Sequence, residues 1–301
     1  MRENELCIYA REQQIELLQN EPLCDHTTFR IGGPASFFAV VEGSRLAGLI
    51  EKVKALEIPF FVIGNGSNLL VSDAGYPGLV IKIAETPIRM LDDCTLEVSA
   101  GTPLSRLAMA AANAGLTGLE FAHGIPGTVG GAVMMNAGAY DGQISDVLVS
   151  SFCYDDESET FFRLEKAEHA FAYRHSSYMD HPGRIVTSAV FRLKPGDKDA
   201  IREKMSDLNA RRRAKQPLEY PSAGSTFKRP EGHFAGKLIE DCGLKGYRIG
   251  GAQVSEKHAG FVINAGGATC TDVLNLMEYI EKTVFETFGV KLEREVRVIG
   301  C

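Results

Sequence analysis

The groups best suited to chemistry in this chain are backbone amides rather than acids, bases or thiols. Two stretches present them. IGNGSNLLV runs from 63 to 71 and HGIPGTVGGAVMMNAGAY from 123 to 140; the second holds five glycines and three alanines in eighteen residues, with no lysine, arginine or carboxylate. Successive N–H groups in such turns form concavities shaped for phosphate, and glycine reaches the positive φ angles they use. Neutral amides of this kind hold a diphosphate without a basic side chain. Taken singly, GNG is also an ordinary tight turn between strands. Two long charge-free stretches favour the cradle.

Side-chain candidates are fewer. Ser225 stands in AGSTF, Arg174 in YRHSSY and Glu295 in LEREVR. Read alone, Gly-Ser before an apolar residue is a turn signal, a single arginine is a surface residue, and LEREVR is a charged edge strand. No GxSxG surrounds Ser225, so a hydrolase nucleophile elbow is not indicated. Nucleotide fingerprints fail too. GNGSNL has Leu69 where GxGxxG needs glycine, and GHFAGKL (232–238) is one residue short of a P-loop and lacks its Ser/Thr.

Composition narrows the classes. A chain of 301 residues with 45% hydrophobic and 24% charged residues is ordinary for a globular protein of two or three domains. Its net charge of −7 argues against a nucleic-acid binder, whose footprint is basic. No apolar run approaches the roughly 20 residues of a spanning helix, so no membrane partner is expected. MRENELCIYAREQQ lacks the apolar core of a signal peptide. Cys7, Cys24, Cys94, Cys153, Cys242, Cys270 and Cys301 are scattered without a CxxC, which fits free thiols in the cytoplasm and no metal site.

The elements that must carry these residues follow from periodicity. SRLAGLIEKVKALE (44–57) spaces Leu46, Leu49, Ile50, Val53 and Leu56 as a helical stripe after a serine cap. Strands are expected at 59–64, 69–72, 78–83, 95–101, 146–154 and 184–193, and a helix at 103–115 between a proline and a glycine. Beyond 197 come a charged helix closed by Pro217, a helix at 233–242, strands at 247–254 and 259–264, a long helix at 271–288 and a final strand, VKLEREVRVIG. Alternation in that strand puts Leu292, Arg294, Val296 and Val298 on one face, and Glu293, Glu295, Arg297 and Ile299 on the other. The fold class is α+β.

Several blocks, in order, resemble one family. TTFRIGGPA (27–35), GNGSNLLV, AGTPLSRLA (100–108), GLEFAHGIPGTVGGAVMMNAGAYDG (118–142), YRHSSY (173–178), RRRAKQP (211–217), AGSTFKRP (223–230), GGAQVSEKHAGFVIN (250–264) and LEREVRVIG (292–300) are similar to the UDP-N-acetylenolpyruvoylglucosamine reductases. The resemblance implies an FAD-binding α+β domain of the vanillyl-alcohol-oxidase/PCMH type with an α+β C-terminal substrate domain. It implies FAD-binding parts at 1–83 (with the strand at 291–301) and 84–196, and a substrate domain at 197–290. It also implies non-covalent FAD, NADPH as reductant, and reduction of the enolpyruvyl ether to UDP-N-acetylmuramate for peptidoglycan.

Site roles come from the same resemblance. Ser225 matches the family's proton donor to C2, Arg174 the arginine on the substrate carboxylate, and Glu295 the third catalytic residue at the enol. Asn65, Gly66, Ser67, Asn68, Gly127, Thr128, Gly130 and Gly131 match FAD positions. Tyr140, Lys215 and Lys228 match substrate contacts, Lys215 suiting the UDP diphosphate. His123 reads as structural, and the RRR at 211–213 as a solvated helix end from which one arginine could join Lys215. Arg229 stands where some relatives have asparagine and is left unassigned. Only MDHPG separates Tyr178 from Arg184, which resembles the form lacking a long tyrosine-bearing loop. The rival readings are a flavin oxidase of the wider superfamily and a non-catalytic nucleotide-sugar-binding protein. The second would have lost Arg174 or Glu295, and both are present.

Overall fold

The computed structural model describes residues 2–300 and divides into two compact units. The first takes the chain up to Gln19, Phe37–Asn65 and Gly78–Ala210; the second takes Asn20–Ser36, Gly66–Pro77 and the chain from Arg211 on. The GNGSN motif is itself a crossing, since Asn65 ends a segment of the first unit and Gly66 begins one of the second.

The first unit is built mainly on two sheets. One has the order Leu17–Pro22, Pro34–Val41, Tyr76–Ile83, Phe60–Ile63, with its last pair parallel. The other is antiparallel, in the order Thr160–Glu165, Leu148–Asp155, Arg184–Arg192, Thr95–Ser99, Arg89–Asp92. Helix Leu46–Ala55 buries Leu46, Leu49, Ile50 and Val53, the stripe its spacing dictates. Its expected start at Ser44 is displaced, because Gly43–Arg45 makes a tight 3-10 turn first and no side chain caps the helix. Helix Leu104–Ala114 ends as expected, with Gly115 left-handed at φ 74.

Some elements leave no periodic trace. All four residues of Arg89–Asp92 are exposed, so no alternation marks that strand. Helix Arg2–Glu12 buries only Leu6 and Ala10. The expected strand at 247–254 is instead a hairpin, Arg248–Ile249 against Ala252–Val254, turned at Gly250 with φ 55. The final strand shrinks to Arg297–Ile299, paired in parallel with Leu69–Val71. A bend at Val296 resets its alternation, so that Ile299 is buried along with Leu292 and Val296.

Helix Cys270–Phe288 organises the second unit. It buries Val273, Leu276, Met277, Ile280 and Val284 against Phe29, Ile31, Leu70 and Phe227. Burying each such side chain stabilises by about 1.5–3 kcal/mol. Its first turn leaves no amide idle. Thr269 and Asp272 form a reciprocal capping box, and the Asp73 carboxylate accepts from the Cys270 and Thr271 amides at 2.7 and 3.1 Å. Backbone hydrogen bonds from Thr269 and Gly251 hold the Asp272 carboxyl below its usual range. The described cysteines are free thiols, and Cys301 lies outside the described residues. Among the described residues no helix is long and apolar enough to cross a membrane.

One buried polar chain crosses the first unit. His169 donates from Nδ1 to the Glu165 carbonyl at 2.8 Å, so its neutral ring accepts at Nε2 from the Ser151 hydroxyl at 2.7 Å. Ser151 then accepts from Tyr178, also at 2.7 Å. His169 is fully buried. Burial pushes its pKa down, opposed in part by the Glu165 carbonyl. A lowered folded pKa means that the unfolded chain binds the proton first. The stabilisation is therefore complete above the ordinary imidazole value of about 6.5 and is lost as pH falls below it. His169→Gln should cost about 1–3 kcal/mol at pH 7.5. Its gap in urea midpoint from the wild type should narrow toward pH 5. A constant gap would refute the buried neutral imidazole.

Candidate active site

Ser225 lies on an extended segment held from both sides within the second unit. On one side Ser222 bridges Ile263, and Thr226 donates to the Gly260 carbonyl at 2.9 Å while its hydroxyl accepts from the Val262 amide at 2.9 Å. On the other side Phe227 bridges Arg294, Lys228 N donates to Glu293 O at 2.8 Å and Glu295 N donates to Thr226 O at 2.9 Å. Thr226 thus stands opposite Glu295, and Ser225 is one register step away. Ala223, Thr226 and Phe227 are buried; Ser225 is exposed.

Glu295 is held by more than this pairing. Arg294 makes a two-pronged ion pair with Glu281 of the long helix, at 2.6 and 2.8 Å. That hydrogen bonding raises the Arg294 pKa further. Asn68 donates from its side chain to the Glu295 carbonyl at 3.0 Å, and Arg297 N donates to Asn68 O at 3.0 Å. Asn68 therefore ties the GNGSN turn to the Glu295 segment. The sequence assigns Asn68 to the cofactor and places Arg294 only on a strand face, with no sign of its pairing to Glu281.

Arg174 and Tyr140 come together in the first unit. Ala172 and His175 exchange backbone hydrogen bonds of 3.2 Å around Tyr173 and Arg174, and Arg174 is left-handed at φ 54. Its guanidinium donates to the Gly138 carbonyl at 3.0 Å and lies 5.0 Å from the centre of the Tyr173 ring. Gly138 opens the small hairpin whose tip is Tyr140 and Asp141, at φ 51 and 63. Arg174, Tyr140 and its neighbour Asp141 therefore sit on backbone that non-glycine residues adopt at a cost, the kind of strain stored where a side chain must be aimed. Asn136 secures the group. It is buried, left-handed at φ 42, and bonds Gln143 Oε1, the Ala172 carbonyl and the Ser145 amide at 3.2, 3.1 and 3.0 Å. Asparagine's tolerance of the left-handed region at a helix end was the only signal for it in the sequence.

The glycine stretches prove tighter than open cradles. A Cβ on Gly64 would lie 2.3 Å from Thr128 Oγ1, and one on Gly66, at φ 59, would lie 2.4 Å from the His26 carbonyl. These glycines let the chain pack on itself. Gly127 O accepts from Leu104 N at 3.0 Å, Val129 N donates to Thr102 O at 2.9 Å, and Gly130 N donates to Ala100 O at 2.8 Å. Two of the amides expected to be free are thus already spent. What remains still fits a phosphate-bearing cofactor. In front of Gly131 the nearest atom to an added Cβ is Thr128 Oγ1 at 3.8 Å, and Thr102 Oγ1 is buried without a partner, both in the first unit with Asn65. His123 accepts at Nδ1 from Asn209 at 2.6 Å, a packing role.

Lys228 is ion-paired with Glu293 and lines a cavity of about 390 Å³ in the second unit together with Arg229, Glu231 and Lys291. Lys215 is exposed in the last turn of helix Lys198–Lys215, whose end Lys257 caps by donating to the Arg213 carbonyl at 2.7 Å. Among the described residues no cluster of histidine, cysteine and carboxylates could hold a metal ion.

Comparison with known proteins agrees across the chain. Residues 34–160 match an FAD binding domain, and 216–299 match the UDP-N-acetylenolpyruvoylglucosamine reductase C-terminal domain. The chain is 53% identical to the UDP-N-acetylenolpyruvoylglucosamine reductase of Agathobacter rectalis, over 95% of each chain. It is 51% identical to that of Caldanaerobacter subterraneus, over 95% of this chain and 94% of the relative. The crystal structure of UDP-N-acetylenolpyruvylglucosamine reductase from Thermus caldophilus is similar with a TM-score of 0.77 at 40% identity, covering 94% of this chain and 98% of that one.

Asn136→Ala removes three hydrogen bonds and places alanine in a left-handed backbone. It should destabilise by about 2–4 kcal/mol. Hydrogen exchange should rise at 138–143 and 172–175 and nowhere in the second unit. Unchanged protection in those two segments would show that the hairpin holds Arg174 without Asn136.

Proposed function

The chain belongs to the UDP-N-acetylenolpyruvoylglucosamine reductase family, and we propose that Arg174, Ser225 and Glu295 are the side chains with which it performs that family's reaction. It is an FAD-dependent oxidoreductase that reduces UDP-N-acetylenolpyruvoylglucosamine to UDP-N-acetylmuramate in peptidoglycan precursor synthesis, with NADPH as the reductant. FAD, when bound, supplies the hydride that the enolpyruvyl group receives at C3.

The chain's own residues handle charge and the proton. Hydride addition leaves carbanion character at C2, next to the substrate carboxylate. Arg174 holds that carboxylate with its planar fork and stabilises the enolate through its permanent charge. Ser225 delivers its hydroxyl proton to C2. A serine is a very weak acid, but a carbanionic enolate is basic enough to take its proton when the two are aligned. Glu295 assists at the enol. The observation that carries this reading is the pairing of 226–228 with 293–295, which holds Ser225 and Glu295 one register step apart on backbone bonded from both flanks.

Asn65, Gly66, Ser67, Asn68, Gly127, Thr128, Gly130 and Gly131 hold FAD non-covalently in this reading. Tyr140, Lys215 and Lys228 meet the nucleotide sugar, Lys228 exchanging Glu293 for a phosphate oxygen. We assign the FAD-binding role to 1–83 with 291–301 and to 84–196, and the substrate role to 197–290; across residues 34–160 and 216–290 the family matches favour this reading. The net charge of −7 supports a small-molecule enzyme that engages no nucleic acid, and the free thiols support a cytoplasmic one.

Ser225→Ala separates the two halves of the reaction. It should bind FAD and accept electrons from NADPH at nearly the wild-type rate. Reoxidation by UDP-N-acetylenolpyruvoylglucosamine should slow by about 10²–10⁴-fold, the usual loss for a positioned general acid. Ser225→Cys, which keeps a transferable proton, should recover part of that loss. Anaerobic stopped-flow absorbance follows both halves; a variant slow in flavin reduction and normal in reoxidation would remove Ser225 as the donor.

Lys215→Ala should raise KM for the nucleotide sugar more than it lowers kcat, because a diphosphate contact is made equally in ground and transition states. An unchanged KM would return Lys215 to the solvated helix end.

A further inference from the structure

The glycine stretches carry no positive charge of their own, and the fold brings one to them. Lys82 lies on strand Tyr76–Ile83, paired in parallel register with Ile63. Alternation sends Leu79, Ile81 and Ile83 into the main core of the first unit and leaves Val80 and Lys82 on the opposite face. From there the lysine reaches past Ile63, and its ammonium donates to Asn65 Oδ1 at 3.0 Å. Asn65 donates in turn to the Pro126 carbonyl at 3.3 Å. Next to it, Gly64 packs on Thr128 so closely that no Cβ fits. One ammonium therefore stands where the 64–65 turn meets the 126–128 turn, all within the first unit.

The electrostatics of Lys82 are unfinished. It is only partly exposed, and burial pushes its pKa down. Among the described residues its one hydrogen-bond partner is a neutral amide, and no carboxylate pairs with it. The other lysines with partners in this protein are mostly at the surface beside carboxylates, as with Lys54 and Glu159 or Lys245 and Glu240. An ammonium withdrawn from water without a counter-charge is costly, and two of its three donors remain to be used. An anion placed at this junction removes that cost. The neighbouring turns offer neutral amides and hydroxyls, which orient phosphate oxygens without neutralising them.

We propose that Lys82 is the cation facing the diphosphate of the bound flavin nucleotide, held in place by Asn65. The proposal rests on the FAD reading given above and names a charge that the charge-free motifs do not contain. Lys82 acts on the strength and salt dependence of cofactor binding rather than on either half of the reaction. Asn65 has two tasks in this arrangement, aiming the ammonium and joining the two turns.

The test is made on wild-type, Lys82→Arg and Lys82→Met apoprotein, stripped of flavin and titrated with FAD and, separately, with riboflavin, by flavin fluorescence at low and high salt. Lys82→Met keeps the aliphatic stem and should raise the FAD Kd by about 10- to 100-fold, the worth of one charge-assisted contact. It should also flatten the salt dependence and leave the affinity for phosphate-free riboflavin unchanged. Lys82→Arg should stay within about threefold of wild type, since it keeps the charge. An FAD Kd in Lys82→Met equal to wild type overturns the proposal, as does an equal loss of FAD and riboflavin, which would make the lysine a prop for Asn65 alone. Should Lys82→Met fail to fold, Lys82→Gln, which still donates to Asn65, is read in the same way. Wild-type protein that takes up no FAD overturns the cofactor reading and the lysine with it, whereas wild type that binds FAD beside an equally competent Lys82→Met overturns the lysine only.

Discussion

Ser225, Glu295, Arg174, Tyr140 and the 64–68 turn sit on irregular backbone, and irregular backbone must find partners for its amides and carbonyls one by one. That constraint shapes both units. The 221–228 segment satisfies itself against 260–264 on one flank and 293–295 on the other. The 127–130 turn spends its polar groups on Ala100, Thr102 and Leu104. The same bonds that avoid buried unpaired groups also fix where the side chains emerge. Precision at the site is a by-product of solving the backbone problem.

Regular elements anchor these segments from behind. Helix Cys270–Phe288 packs its apolar stripe on the second core, and its first turn is held by Asp73, which lies in the same stretch of chain as Leu69–Val71. Glu281 on that helix grips Arg294, and the neighbour of Arg294 is Glu295. A carboxylate one residue from a two-pronged ion pair has little freedom to slide along its strand. Asn68 adds a second restraint on the same peptide. The GNGSN motif thus acts mechanically in the second unit through Asn68.

The first unit concentrates backbone strain around one small hairpin and the turn beside it. Asn136, Tyr140, Asp141 and Arg174 all have positive φ, and none is glycine. Each costs of the order of 1 kcal/mol or more relative to a relaxed residue. The cost falls on the short hairpin and turn that hold Tyr140 and Arg174, and the buried hydrogen bonds of Asn136 offset it. A glycine would relieve the strain at either tip and would also remove the side chain displayed there.

The sequence by itself determined the parts that repeat or that tolerate few residue types. The helical stripes at 46–55 and 270–288, the glycine stop at Gly115 and the motif blocks that identify the family are all local, so they are visible in one dimension. The α+β class followed from them. Tertiary structure decided the rest. The 247–254 run folds back on Gly250, and Val296 resets the alternation on which the face of Glu295 was judged, because a bend is set by what the chain packs against. The glycines of GNGSN read as room for a ligand, yet Gly64 and Gly66 are first of all room for Thr128 and His26. Lys82 is a lysine in an apolar strand until parallel pairing with Ile63 carries its ammonium to Asn65. Long-range contact assigns such residues their work, and no window of the sequence contains both partners.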